Sequence, residues 1–245
     1  MNGGESSGDT LAMRPRLTLV LGALVASCMP AGSIGPSGSP GPSSAGVLRY
    51  VALGDSYTIG TSVREAERWP DQLVAALHGT SPALALVGNP AVNGYTTRDV
   101  IADELPQLDG LRPEFATLLI GVNDVIQGVS EDEYRRNLGQ IFDALISHAG
   151  ENRIVGVTTP DYTVTPAGAD YGDPTSVSAA IQRYNAIFTD AAAARGIAVV
   201  DIYDLSLLAA DDRSLVAGDG LHPSGAQYAL WVERIAPVVE EMLRR

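Results

Sequence analysis

The chain has 245 residues, room for one α/β domain with a buried core behind a leader but not for two ordinary domains. Its 29 acidic residues outnumber 16 basic ones, every one of them arginine, and the net charge is −13. The absence of lysine excludes Schiff-base chemistry and a P-loop phosphate cradle, and the acidity argues against a nucleic-acid partner; solubility is the plain reading of the charge.

Arg14-Pro15-Arg16 precedes an apolar run over 17–28, a basic flank and hydrophobic stretch of signal-peptide length and too short for a comfortable permanent span. Val25-Ala26-Ser27-Cys28 closes it and resembles the lipobox of bacterial lipoproteins, where the peptide is cut before the cysteine and that cysteine carries lipid. Residues 1–27 are therefore expected to form a lipoprotein-type signal peptide with lipidation at Cys28. An ordinary secretory signal with an incidental cysteine is the competing reading. Cys28 is the only cysteine and can form no internal disulfide. Residues 1–12 look unlike a signal n-region, which leaves Met13 as an alternative start. The stretch 28–46, Gly/Ser/Pro/Ala-rich, reads as a flexible tether, and 47–245 as the folded domain.

From there short apolar runs alternate with amphipathic stretches, the rhythm of βαβ units on a parallel sheet. The strands are expected at 48–53, 84–87, 115–120, 153–157 and 197–201, and the helices at 66–78, 97–108, 131–148, 176–195 and 223–243. Thr97 is expected to cap the second helix and Ser130 the third; Pro223 can open the last. The segment 160–175, rich in Pro, Gly, Asp and Tyr, reads as a surface loop after a strand's carboxyl end, where open α/β sheets bind ligands.

Four segments carry chemistry. Gly54-Asp55-Ser56 follows the first strand and places a serine hydroxyl at the sheet's carboxyl edge. Asp219-Gly220-Leu221-His222-Pro223 offers an imidazole in a loop with a carboxylate three residues earlier, able to bond one ring nitrogen while the other faces the serine. Serine needs such a base to become nucleophilic. The oxyanion that results needs donors, and Gly94 after the second strand and Asn123 after the third can supply a backbone N–H and a side-chain amide.

This ordered set resembles the SGNH subgroup of the GDSL esterase/lipase family, with blocks at Gly54-Asp55-Ser56, Gly94, Gly121-Val122-Asn123-Asp124 and Asp219-Gly220-Leu221-His222-Pro223. The resemblance covers about 48–243, with Tyr57 and Thr58 departing from the usual first block. It implies a three-layer, flavodoxin-like α/β/α sandwich on a five-stranded parallel sheet. It also implies Ser56 as nucleophile, His222 as general base and acid, Asp219 as its orienter, and an oxyanion hole of the Ser56 and Gly94 N–H groups and the Asn123 side chain.

The expected function is thus an exported serine esterase working through an acyl-enzyme, without cofactor or metal, on a small-molecule, carbohydrate or lipid ester. A monomer is expected, touching membrane only through Cys28. The alternatives are a carbohydrate O-acetyl esterase or an acyltransferase on the same site, or a binding module with a vestigial triad. Plain structural roles are assigned to His78 and His148, which end helices, to Asp124, and to Trp69 and Trp231 as core. Asp55 reads equally as a loop brace or a passive carboxylate. Tyr162 and Tyr171 are candidates for an acyl pocket against the plainer reading of exposed loop tyrosines.

Overall fold

The computed structural model describes residues 46–80 and 82–245; the expected signal peptide, Cys28 and the linker up to residue 45 lie outside them. Five strands, β1 (Val47–Gly54), β2 (Ala83–Gly88), β3 (Phe115–Leu119), β4 (Ile154–Val157) and β5 (Ala198–Val200), form one parallel sheet in the order β2-β1-β3-β4-β5. Each falls within a residue or two of its expected place.

The strands read as unbroken apolar runs because both faces are covered. Tyr50 and Ala52 of β1 with Phe115 and Leu119 of β3 point to one face, and Val51, Leu53, Ala116 and Leu118 to the other. On the first face the hydroxyls of Tyr50 and Thr117 satisfy each other at 2.7 Å.

Nine α-helical segments surround the sheet among the described residues: α1 (Ser56–Ile59), α2 (Trp69–Ala76), α3 (Thr97–Asp99), α4 (Leu108–Leu111), α5 (Val122–Ile126), α6 (Glu131–Ala149), α7 (Pro174–Ala193), α8 (Tyr203–Leu207) and α9 (Gly225–Leu243). The first face is covered by α2 and α9, which bury Trp69, Leu73, Tyr228, Trp231 and Ile235. The second is covered by α6 and α7 through Leu138, Phe142, Ile187 and Phe188. Each such large side chain contributes about 1.5–3 kcal/mol of burial.

Three expectations need correction. The helix expected over 97–108 is broken into α3, a π turn at Val100–Glu104, a 3-10 turn at Leu105–Gln107 and α4. Pro106 lacks the N–H that a continuous helix needs, and the Glu104 carboxylate is drawn inward to accept from the Gly54 N–H at 3.0 Å. The cap of α3 is Thr96, in a reciprocal box with Asp99; Thr97 turns to Asp124 instead. The last helix starts at Gly225 under a Ser224 cap, because Pro223 is held in a bridge to Val216. Ser130 caps α6 as expected, with Glu133 N donating to its hydroxyl at 3.3 Å. His78 lies just past α2, and His148 in the last turn of α6 bonds Asp109.

Candidate active site

In a sheet of this order the direction of winding reverses at β1 and β3, and the crevice beyond their carboxyl ends is where such folds hold ligands. Ser56 follows β1, Gly94 follows β2 and Asn123 follows β3, so chain topology alone gathers them there. Gly54 makes the turn possible: its φ is +152°, and a Cβ would lie 2.3 Å from the Leu119 carbonyl oxygen of the neighbouring strand. Asp55 then caps α1, its Oδ1 accepting from Tyr57 N at 3.0 Å. Ser56 becomes the first residue of that short helix, a position whose N–H has no intrahelical acceptor and donates to no other described residue.

The second wall is a hydrogen-bonded loop. Gly94 has φ +84° with open space where a Cβ would stand, so its requirement is conformational. Its carbonyl accepts from Gln127 Nε2 at 2.8 Å, and the carbonyl of Tyr95 accepts from Asn123 Nδ2 at 2.9 Å. That bond takes one of the two amide hydrogens of Asn123 and leaves the other. Beneath, the buried Asp124 accepts from Thr97 N at 3.0 Å and from Thr97 Oγ1 at 2.6 Å. Burial nonetheless pushes the Asp124 carboxyl up to about 6.

The third wall is the loop before α9. Ala217 N donates to the His222 carbonyl at 2.7 Å and Ser224 N to Leu215 O at 2.8 Å, forming a small folded-back loop. His222 Nδ1 meets Asp219 Oδ2 at 2.7 Å, while Asp219 Oδ1 accepts from Leu221 N at 2.9 Å and His222 N at 3.0 Å. Partial burial alone would raise the Asp219 carboxyl; the bonds from Ser62, Leu221 and His222 outweigh it and hold the group well below the usual carboxylate range. The imidazole rests on the edge of Tyr57 at 5.7 Å between ring centres, and Tyr57 on Trp231 at 6.3 Å, so the core backs the site.

Ser56, Gly94, Asn123 and His222 line one cavity of about 210 Å³. Asn93 completes its polar rim, and Val122, Ile126, Leu221, Tyr162 and Tyr171 its apolar wall. Among the described residues no hydrogen bond joins the Ser56 hydroxyl to His222, whose Nε2 has no protein partner. Such contacts commonly tighten only with substrate present. All the expected site residues within the described part are thus brought to one crevice, the two loop tyrosines included.

Other residues at the crevice went unpredicted. Gln127 stands four positions after Asn123, on the same side of the α5 turn, a spacing visible in sequence. Thr61 donates to Asn93 Oδ1 at 2.6 Å and Ser62 to Asp219 Oδ2 at 2.6 Å, contacts with no local signal. Glu104 and Asp55 are buried carboxyls beneath the nucleophile's turn, both pushed up to about 8 by burial, each with one oxygen lacking a partner among the described residues.

Several solved structures share this fold. An acetyl xylan esterase variant from Geobacillus stearothermophilus is similar at a TM-score of 0.62 and 19% identity, over 78% of this chain and 94% of that one. A member of the lipolytic protein G-D-S-L family from Veillonella parvula gives 0.61 and 18%, over 77% and 96%. An alpha/beta hydrolase from the metagenome of Lake Arreo gives 0.60 and 19%, over 78% and 94%. A comparison with curated protein sequences gives no match. The model of the GDSL-like lipase/acylhydrolase family matches residues 52–230, a span running from β1 into α9 and holding every block of the crevice. The chain therefore belongs to the GDSL-like lipase/acylhydrolase family and is an ester-hydrolysing serine hydrolase.

Proposed function

We propose that the protein is an exported esterase that cleaves carboxylic esters through an acyl-enzyme on Ser56. The observation that carries this reading is the convergence of Ser56, His222, Gly94 and Asn123 on one cavity, with His222 Nδ1 held at 2.7 Å by Asp219. Ser56 Oγ attacks the ester carbonyl as its proton passes to His222 Nε2. The carboxylate fixes the tautomer and stabilises the imidazolium without taking the proton itself. The oxyanion is received by the N–H groups of Ser56 and Gly94 and the remaining amide hydrogen of Asn123, each such donor being worth about 10²–10³ in rate. The imidazolium then protonates the departing alcohol, and water, deprotonated by the same imidazole, releases the acid. Two of the similar structures are described as catalytic mutants of the Geobacillus enzyme, one at a serine and one at an aspartate, which supports these roles.

The apolar wall formed by Val122, Ile126, Leu221 and the two tyrosines favours an acyl or aryl group of modest size. Removal of acetyl groups from a carbohydrate is the second reading, favoured by the acetylxylan esterases among the similar structures. Aryl esters of increasing acyl length, assayed beside acetylated xylo-oligosaccharides, separate the two. Ser56→Ala is expected to lower kcat by about 10⁴-fold or more with an unchanged Tm; turnover surviving in that variant removes Ser56 from the nucleophile's role, and an absence of ester turnover in the wild type leaves the binding-module reading. The leader sequence and Cys28 support export with a lipid anchor, to be checked by mass spectrometry of the mature N-terminus. An unmodified chain beginning elsewhere removes the anchor from the proposal.

A further inference from the structure

We infer that Ser62 is a positioning residue of the catalytic apparatus, its hydroxyl holding the Asp219 carboxylate, and through it the His222 imidazole, to the chain segment that carries Ser56. This rests on the roles of Ser56, Asp219 and His222 proposed above.

A carboxylate offers about four lone-pair sites, and Asp219 has all of them filled. Three donors come from its own loop: Leu221 N and His222 N on Oδ1, and His222 Nδ1 on Oδ2. The fourth is Ser62 Oγ, 2.6 Å from Oδ2 and 157 positions away in sequence. Among the described residues it is the one hydrogen bond joining segment 55–62 to the loop 215–223. Without it, nothing polar sets the base's loop against the nucleophile's turn.

The backbone points the same way. Ser62 has φ +66°, a left-handed conformation that glycine adopts freely and a serine does not. Two residues earlier the chain uses glycine for the same purpose: Gly60, at φ +74°, closes α1. At 62 it carries a hydroxymethyl group instead, and the feature that group adds is the bond to Asp219. Thr61 next to it makes the matching contact on the opposite wall, donating to Asn93 Oδ1 at 2.6 Å. One dipeptide thus bridges the oxyanion loop and the acid–imidazole loop.

The groups that face the pair are few. His222 is edged by the Tyr57 phenol of α1, and the buried Tyr228 phenol of α9 lies within the field of Asp219. Ser62 is exposed and the Asp219 side chain is 30% exposed, so water competes for the vacated site and the loss is partial.

The test compares Ser62→Ala and Ser62→Gly with the wild type and Ser56→Ala, in the full chain. Both Ser62 variants are expected to lower kcat about fivefold to tenfold with KM unchanged, a loss in the range of one partly exposed charge-assisted bond. The acidic limb of kcat/KM against pH should move upward by a few tenths of a unit, because a carboxylate relieved of one donor favours the imidazolium more. Ser62→Gly should be at least as stable as the wild type, its backbone strain removed. Wild-type kcat with an unmoved limb in Ser62→Gly makes Ser62 a turn residue and overturns the inference while the esterase reading stands. So does a loss of kcat that merely follows a lowered Tm in both variants. Activity persisting in Ser56→Ala overturns the reading and the inference together.

Discussion

The two walls that flank Ser56 are built differently. The oxyanion wall is anchored in the interior: Asp124 is fully buried and receives Thr97 by backbone and hydroxyl, while Asn123 and Gln127 pin the carbonyls of Tyr95 and Gly94. The acid–imidazole wall is a short surface loop stitched to itself and, through Ala167 N donating to Gly220 O at 2.9 Å, to the long loop after β4; it touches the nucleophile's segment through Ser62 alone among hydrogen bonds between described residues. Stability and catalysis are therefore coupled on one side of the crevice and separable on the other.

The sharpest way to break that contrast is a pair of substitutions. Asp219→Ala is expected to lower kcat by about 10³–10⁴-fold while leaving Tm within a few degrees, because it removes a partly exposed carboxylate from a surface loop outside the core. Asp124→Ala should cost on the order of 2–4 kcal/mol in denaturant unfolding, since the Thr97 N–H and hydroxyl are then buried without acceptors. If the two variants lose stability equally, the walls are not distinct. Asn123→Ala, between these extremes, should lower kcat by about 10²-fold with KM little changed. It should also lower Tm slightly through the lost bond to Tyr95, a signature absent from Asp219→Ala.

The smallest effect sits beneath both walls. Glu104 has its folded pKa raised to about 8 by burial, far above a carboxyl in the unfolded chain. Between roughly pH 4.5 and pH 8 the native state keeps a proton that the unfolded state has released, so stability falls as pH rises through that window and levels off above it. Asp55, raised to about 8 for the same reason, contributes in the same sense. Glu104→Gln keeps an acceptor for Gly54 N–H and has no proton to lose, so Tm should decline less steeply from pH 5 to pH 8, with kcat within about twofold of the wild type. An unaltered slope would show that Glu104 is ionised in the folded protein.

Much of this was legible in the residues. The strands stood out because burial on both faces leaves apolar runs bounded by Gly, Asn and Asp. Ser56, Asp219 and His222 stood out because each follows an element end in a loop too polar to be core. What escaped detection had one of two causes. Helices as short as α1 and α5 span barely a turn, so no period exists to be read. The 97–108 segment has helical periodicity but contains Pro106 and a glutamate whose acceptor role lies on Gly54, a tertiary demand that outweighs local preference. Ser62 belongs with these: its partner is distant in sequence, and its left-handed backbone is invisible in a residue type that rarely needs it.

The parallel sense of every strand has a consequence for where the crevice lies. Since β1 enters at Val47 and leaves at Gly54, its eight residues, about 3.3 Å each, carry the chain some 25 Å from one end of the sheet to the other. Val47, where the chain enters the sheet, and the mouth of the crevice thus sit at opposite ends of β1. A change made at Val47 is therefore made a full sheet length away from the reacting groups.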